Sequence, residues 1–459
     1  MIARCLETRH DMPEASADLH KGAAMGARHM SYRSLKSVLL ACSGAAVLLA
    51  ASTAANAGGF ALREQSAAGQ GSSFAGIAAG GALSSMFWNP ATMTQFEGKA
   101  FEVDGTGIFP KANHSFTAST LSGFGGPFAS APGNSGEAAA VPATYSSWQL
   151  TEKLWIGMSV NSPFGLAVQF PTAWAGSGYG QNSNVKSINA SPSVAYKIND
   201  WISVAAGVQI QWMSVGYNIF TGAPFNTAVL GGSGYGYGYT LGATLTPMAG
   251  TTIGIGYRSA INQKIEGTLV GALVPNGAIS TTINLPDQLS VGLRQRFLDR
   301  WTFLAGFEFS NWARIGSPVV TGAATITLPF QYSNGFFYSA GFEYAALPNL
   351  TLRTGIAFEK SPITDAVRTP RLPDNDRIWY SVGATYQAPF KGLSFDVGYS
   401  YIDVKNTPIN ISATSGNPSL NATGTYIGSV QSSIHIFSVA ARYQWDAPER
   451  VTRTALITK

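Results

Sequence analysis

From about residue 100 onward, apolar and polar side chains alternate with a period of two, in runs closed by turn residues, which is the pattern of strands with two different faces. The alternation predicts fourteen strands, near 100–110, 142–151, 153–162, 186–198, 201–217, 234–246, 250–261 and 280–296, then 300–314, 334–345, 349–360, 376–388, 392–405 and 431–445. In one of them Trp301, Phe303, Phe307 and Phe309 oppose Thr302, Gly306, Glu308 and Ser310. In another Leu393, Phe395, Val397, Tyr399 and Tyr401 oppose Ser394, Asp396, Gly398 and Ser400. The connections alternate as well. Short turns (Thr151-Glu152, Asn199-Asp200, Leu298-Asp299, Leu347-Pro348) are each followed by a long stretch, including 218–233, 262–279 and 361–375. Short turns at one end and long loops at the other mark a transmembrane β-barrel, and an even strand count returns both termini to the short-turn side.

Composition sharpens this reading. Charged residues make up 12% of the chain, about half of the roughly 25% usual in soluble domains. The chain also has 51 Gly and 12% aromatic residues, while the mean hydropathy is only +0.09. With 45% hydrophobic residues the chain is not disordered, and a single apolar run, near the N-terminus, excludes a helical membrane bundle. The charges within the strands fall on one parity. Arg258, Arg294, Arg296, Glu308, Glu343, Arg353, Glu359, Arg377, Asp396 and Arg442 all oppose the aromatic face, which predicts a charged interior of paired acids and bases.

Residues 1–57 read as an N-terminal extension and a cleaved secretory signal. Arg33 and Lys36 precede an apolar core at 38–51, and Ala55-Asn56-Ala57 is an A-x-A cleavage site, with Met30 or Met25 as alternative starts. Cleavage there removes Cys5 and Cys42, so no thiol or cysteine-ligated metal is expected, and neither is a cofactor. It also removes six of 29 basic and four of 24 acidic residues, and the net charge of +3 that remains is too dispersed for nucleic acid.

Residues 58–98 lack the alternation and are rich in Gly, Ala and Ser. They suit a plug inside the barrel, or else a periplasmic extension. The barrel itself would occupy 99–445, with a tail at 446–459 beyond the aromatic-ended last strand. That last strand would be read by the barrel-assembly machinery.

Gly59-Phe60-Ala61-Leu62, Asn89-Pro90-Ala91, Gly256-Tyr257-Arg258-Ser259 and Leu285-Pro286 occur in order along this chain. They are followed by Arg353-Thr354-Gly355-Ile356-Ala357-Phe358, Ser361-Pro362, Pro373-Asp374, Asp376-Arg377 and Trp379. This ordered set, over 58–445, resembles the FadL family of outer-membrane transporters for hydrophobic compounds. The resemblance implies a monomeric all-β, fourteen-stranded antiparallel transmembrane barrel in a Gram-negative outer membrane, with an N-terminal hatch that carries Asn89, Pro90 and Ala91. It implies passive uptake of long-chain fatty acids by default, or of uncharged aromatic hydrocarbons. Outer loops would capture the ligand, an internal pocket would receive it, and a break in the third strand would release it into the membrane lipid.

The residues offer candidates for each step. Asn161, Pro163, Phe164 and Gly165 sit where such a break would fall, because Pro163 has no N–H and Gly165 weakens pairing, although the same residues also suit a plain strand end. Ile219, Phe220, Phe225 and Leu230 in one long stretch, and Ile265, Leu269 and Val270 in the next, make two apolar loops for capture. Phe60, Leu62, Arg258 and Arg353 are candidates for the lumen. Where basic residues of fatty-acid carriers are expected, a loose alignment puts Ser214 and Asn334, which makes an uncharged hydrocarbon a serious candidate, while Arg258 and Arg353 offer another carboxylate partner and long-chain fatty acid stays the default by resemblance. A nonspecific porin and a barrel lipid hydrolase built on His114 or His435 are the alternatives. Neither histidine has a serine and an acid at nucleophile-motif spacing, and no enzymatic activity is expected.

Overall fold

The computed structural model of the protein describes residues 58–222, 226–412 and 424–445. The expected leader at 1–57, Phe225 and the expected tail at 446–459 lie outside the described residues.

The first strands are β1 (Lys99–Ser119), β2 (Ala139–Gln149), β3 (Leu154–Asn161), β4 (Gly165–Val168), β5 (Ser183–Asn199), β6 (Ile202–Gly222) and β7 (Asn226–Met248). Next come β8 (Thr251–Arg258), β9 (Ile261–Gly271), β10 (Gly277–Leu285), β11 (Gln288–Phe297), β12 (Trp301–Ser310), β13 (Val319–Gly322) and β14 (Ile326–Thr327). The chain continues through β15 (Gly335–Leu347), β16 (Leu350–Lys360), β17 (Arg377–Gln387), β18 (Leu393–Ile411) and β19 (Tyr426–Trp445). The sheet closes on itself because β1 pairs antiparallel with β2 on one side and with β19 on the other. Three staves are each made of two segments (β3–β4, β8–β9 and β10–β11), and β13–β14 is a small hairpin between β12 and β15. The result is a closed fourteen-stranded antiparallel barrel.

The period-two pattern holds along the staves. Val204, Val208 and Ile210 on β6, and Phe395 and Val397 on β18, are exposed on the outer face. The opposite parity is largely buried and carries the charges, and several of them are paired, while Arg258 donates to a carbonyl and Arg296 is exposed with no ion pair among the described residues. Arg294 meets Glu343 at 2.5 Å, Arg353 meets Glu343 at 2.8 Å and Asp396 at 3.2 Å, and Arg442 meets Glu102 at 3.4 Å.

Two of the stretches expected to be long loops are strands instead. Residues 218–222 and 226–233 extend β6 and β7, and 262–279 is mostly β9 and β10. On β9 the two faces still alternate, but in the reverse sense to the staves, with Asn262, Lys264 and Glu266 exposed and Ile261, Ile265 and Leu269 buried. Leu230 and Leu269 pack with Ala228 and Val320 in a small cluster of their own, where β9 leaves the line of β8 to pair with the start of β7. β1 and β18 likewise run on past their expected ends.

Residues 58–96 are almost wholly buried against inward-facing positions of strands around the barrel. A short helix, α1 (Ala67–Gln70), is capped by the Ser66 hydroxyl, which accepts the Gly69 N–H at 3.0 Å. Acids on β1 hold the segment. Asp104 accepts the Ala67 N–H at 2.8 Å, and Glu102 accepts those of Leu83 and Ser84 at 3.0 and 3.2 Å. Inward glycines make room for it, since a Cβ on Gly254, Gly355 or Gly398 would collide with the carbonyl of Ala78, Ser72 or Ala67. Much of the glycine excess is therefore a surface that fits another stretch of backbone.

Asn89 ties the segment to the wall. Its Oδ1 accepts the Ala91 N–H at 3.0 Å, and its Nδ2 donates to the carbonyls of Ala78 at 2.7 Å and Ala243 on β7 at 2.9 Å. Pro90 follows as the first residue of a 3-10 turn (Pro90–Gln95), where its missing N–H costs nothing.

Candidate functional site: an apolar cavity beside a break in the wall

The break lies between β3 and β4. Both segments pair with β5, Asn161 opposite Asn189 and Gly165 opposite Lys186. On the other side, pairing of β3 with β2 ends at Val160 opposite Thr144, and β4 has no ladder to β2. Residues 60–62 take the place of that neighbour. Leu62 N–H donates to the Pro163 carbonyl at 2.8 Å, and Gly165 N–H donates to the Phe60 carbonyl at 2.9 Å. Ala61 bridges Phe164. Gln65 clamps the corner, donating to the Ser162 carbonyl at 2.8 Å, and Asn161 reaches the same corner through the Tyr145 hydroxyl at 2.8 Å. Asn161, Pro163, Phe164 and Gly165 thus form one interruption whose backbone groups are satisfied by the N-terminal segment.

Beside this break is a cavity of about 290 Å³. Phe60 and Leu166 form its wall on the side of the break. Val215, Tyr217, Ile219, Leu230, Ile265 and Ile283 come from β6, β7, β9 and β10, and Val320, Leu328, Phe330 and Tyr332 from the β13–β14 region. Phe60 is fixed by two rings, with centroids 4.9 Å from Trp312 and 5.9 Å from Phe164. A pocket that is almost entirely apolar, with a few convergent polar groups, suits a hydrophobic ligand.

Those polar groups centre on Arg371, which enters the wall from the segment between β16 and β17. Its Nη2 donates to the Asn218 carbonyl at 2.8 Å, its Nη1 meets Ser183 Oγ, and its guanidinium lies 5.0 Å from the Tyr217 ring centroid. Among the described residues no carboxylate is paired with it. Burial lowers its pKa to about 10, which still leaves it a cation. Burial likewise raises that of the neighbouring Tyr332 phenol, so the phenol stays protonated. Arg371 is the head-group candidate that periodicity missed. It sits in a non-repeating connection, and the one available signal was a lone basic residue between Pro370 and Pro373.

The remaining candidates divide. Ile219, Leu230 and Ile265 line the cavity, although they stand on strands. Leu269 is buried outside it, while Val270 is exposed on the outer face. Phe220 occupies the opposite parity to Ile219, because neighbours along a strand face opposite ways. Leu62 belongs to a separate cluster with the 74–96 stretch. Arg258 faces that stretch, donating to the Phe87 carbonyl at 3.2 Å, and Arg353 is committed to Glu343 and Asp396, so neither is on the cavity wall. Ser214 is on the outward row with Val208 and Ile210, and therefore faces away from the cavity. Asn334 uses its Oδ1 to accept the Ala313 N–H at 3.3 Å.

His114 is inside β1 and buried, its Nε2 2.7 Å from Ser135 Oγ. Its Nδ1 has no hydrogen-bond partner among the described residues, so no acid orients the ring there as a hydrolytic triad would require. His435 pairs with the Tyr399 hydroxyl at 2.9 Å.

Comparison with known proteins places this geometry. The family model described as outer membrane protein transport protein (OMPP1/FadL/TodX) matches residues 48–445. A long-chain fatty acid transport protein of Salmonella typhi is 27% identical over 403 residues, covering 78% of this chain and 90% of that protein. Outer membrane protein P1 of Haemophilus influenzae is 25% identical, covering 85% of this chain and 96% of that protein. The fold is shared with a Pseudomonas aeruginosa FadL homologue (TM-score 0.76, 23% identity, 84% of this chain and 100% of that one). It is shared too with the P. putida toluene transporter TodX (TM-score 0.61, 16% identity, 83% and 99%). The chain is an outer-membrane β-barrel and belongs to the outer membrane protein transport protein family (OMPP1/FadL/TodX).

Proposed function

We propose that the protein carries hydrophobic compounds bearing an acidic head group, with long-chain fatty acids as the leading class, passively across the outer membrane. The observation that carries this reading is Arg371, a cation without an acidic partner among the described residues, on the wall of an otherwise apolar cavity. A buried cation is costly unless an anion meets it, and an incoming carboxylate would do so while its chain occupies the apolar remainder. An uncharged hydrocarbon would leave the guanidinium to its carbonyl partners. The relatives support both classes, since their names include fatty acid transporters and a toluene transporter.

In this reading residues 58–98 are a hatch that keeps the lumen shut to water-soluble solutes. Ligand reaches the cavity through the β6–β7 and β9–β10 hairpins and leaves sideways through the break at 162–164 once residues 60–62 withdraw. A porin would need an open lumen instead. Reconstitution in liposomes separates the two: slow swelling with small sugars, alongside saturable uptake of a long-chain carboxylate, is the expected result. Rapid sugar flux through the intact protein would refute the hatch.

A further inference from the structure

A small buried cluster of charges lies where the N-terminal segment begins. Arg63 meets Glu308 at 2.9 Å and Glu359 at 3.8 Å, while Arg377 meets Asp374 and lies 3.7 Å from the other oxygen of Glu359. Three acids are thus linked to two bases, and all five side chains are largely shielded from solvent. Among the described residues neither carboxyl oxygen of Glu64 beside them has a side-chain hydrogen-bond partner, and burial raises its pKa to about 7, so it holds a proton through the mildly acidic range. Among the described residues the ion-paired groups count three acids to two bases; buried Arg258 acts on Glu308 only through its charge, and no further cation reaches Glu359 or Asp374 in an ion pair.

The first described residues run directly into this cluster. Gly58 is buried, and a Cβ there would collide with Glu359 Oε1. Gly59 donates its N–H to Asp374 Oδ2 at 3.1 Å. It has φ +66°, and a Cβ there would meet the Trp312 ring at 3.0 Å, so glycine is required on both counts. Gly58 is also the residue that follows Ala55-Asn56-Ala57. Hydrolysis of the Ala57–Gly58 bond by a leader peptidase places water's hydroxyl on the Ala57 carbonyl. It frees an amine on Gly58, which takes up a proton at neutral pH.

We infer that the α-ammonium of processed Gly58 is the missing cation of this cluster, held by Glu359, so that removal of the leader creates the salt bridge that seats residues 58–62 across the break in the wall. A chain that keeps its leader has an uncharged peptide group at this place and leaves the cluster unbalanced. This goes beyond the transport reading and does not depend on ligand class.

The test uses the mature protein purified from outer membranes. Terminal sequencing should begin at Gly58, and reductive methylation of the intact barrel, followed by mass spectrometry of the terminal peptide, should titrate the α-amine more than one pH unit above the ordinary range of about 7.7–8.0. Glu359→Gln should speed labelling at pH 8 about tenfold, one pH unit being a factor of ten. A different terminal residue, or an α-amine that titrates in the ordinary range, would overturn the inference. Unchanged labelling in a correctly folded Glu359→Gln barrel would do the same, and the wild-type titration decides by itself if that variant does not assemble. None of these readouts measures transport, so their failure is distinguishable from failure of the transport proposal.

Discussion

The Phe60 carbonyl accepts the Gly165 N–H at 2.9 Å, so one residue of the N-terminal segment both completes the hydrogen bonding of the broken strand and forms a wall of the apolar cavity. The apolar cavity and the break in the wall therefore share a partition. Truncating Phe60 to Ala removes its contacts with Trp312 and Phe164. A buried Phe→Ala change costs about 3–5 kcal/mol, so local opening of residues 58–66 should rise roughly a hundred- to several-thousandfold, read as faster amide exchange there with the outer staves unchanged.

Arg371→Gln keeps hydrogen-bonding capacity and removes charge. Charge-assisted hydrogen bonds contribute about 1.5–3 kcal/mol, so affinity for a long-chain carboxylate should fall roughly 10–100-fold. Affinity for the matching alcohol should barely change. Titration calorimetry with both ligands checks this, and equal losses for the two would remove the head-group role.

Asn89→Ala leaves the Ala78 and Ala243 carbonyls without their donor and uncaps the 3-10 turn at Pro90. The loss is about 2 kcal/mol or more for the segment's seat. Small-sugar permeation in liposomes should increase several-fold while the barrel still migrates as a folded species.

Glu64 gives the segment a pH dependence of definite sign. Burial raises its carboxyl from the ordinary value of 4.5 to about 7, so the seated state binds the proton more tightly than the released one. Stability of the seated segment is therefore full below about 4.5, falls as pH rises toward 7, and stays low above it. Amide exchange at 58–66 should quicken between pH 5 and 7.5, after correction for intrinsic rates. In Glu64→Gln that increase should vanish.

The fourteen staves were legible because lipid on one side and a charged lumen on the other impose strict alternation, as in Trp301 to Ser310. Legibility ended where that contrast ended. At 218–233 and 262–279 strands continue past the aromatic-out, charged-in contrast, and β9 turns polar residues outward and apolar ones inward instead, so Leu230 and Leu269 read as loop residues although they stand on β7 and β9. The break at Pro163 was legible from the chemistry of proline, but its partner was not, because pairing of residues 60–62 with 163–165 joins segments about a hundred positions apart. Arg371 was hidden for another reason. Its importance comes from an unmatched charge, and a mismatch is visible only once its neighbours are known.

The most direct test of sideways passage restores the wall. Pro163→Val with Gly165→Val returns a backbone donor and two strand-favouring side chains to the interruption between β3 and β4. Uptake of a radiolabelled long-chain carboxylate is then measured in cells that rely on this protein alone, at matched amounts of folded barrel. Uptake reduced at least about tenfold, with ligand still bound because Arg371 and the lining from β6, β7, β9 and β10 keep their residues, is the expected result. Uptake at the wild-type rate in the repaired barrel would contradict release through the side opening.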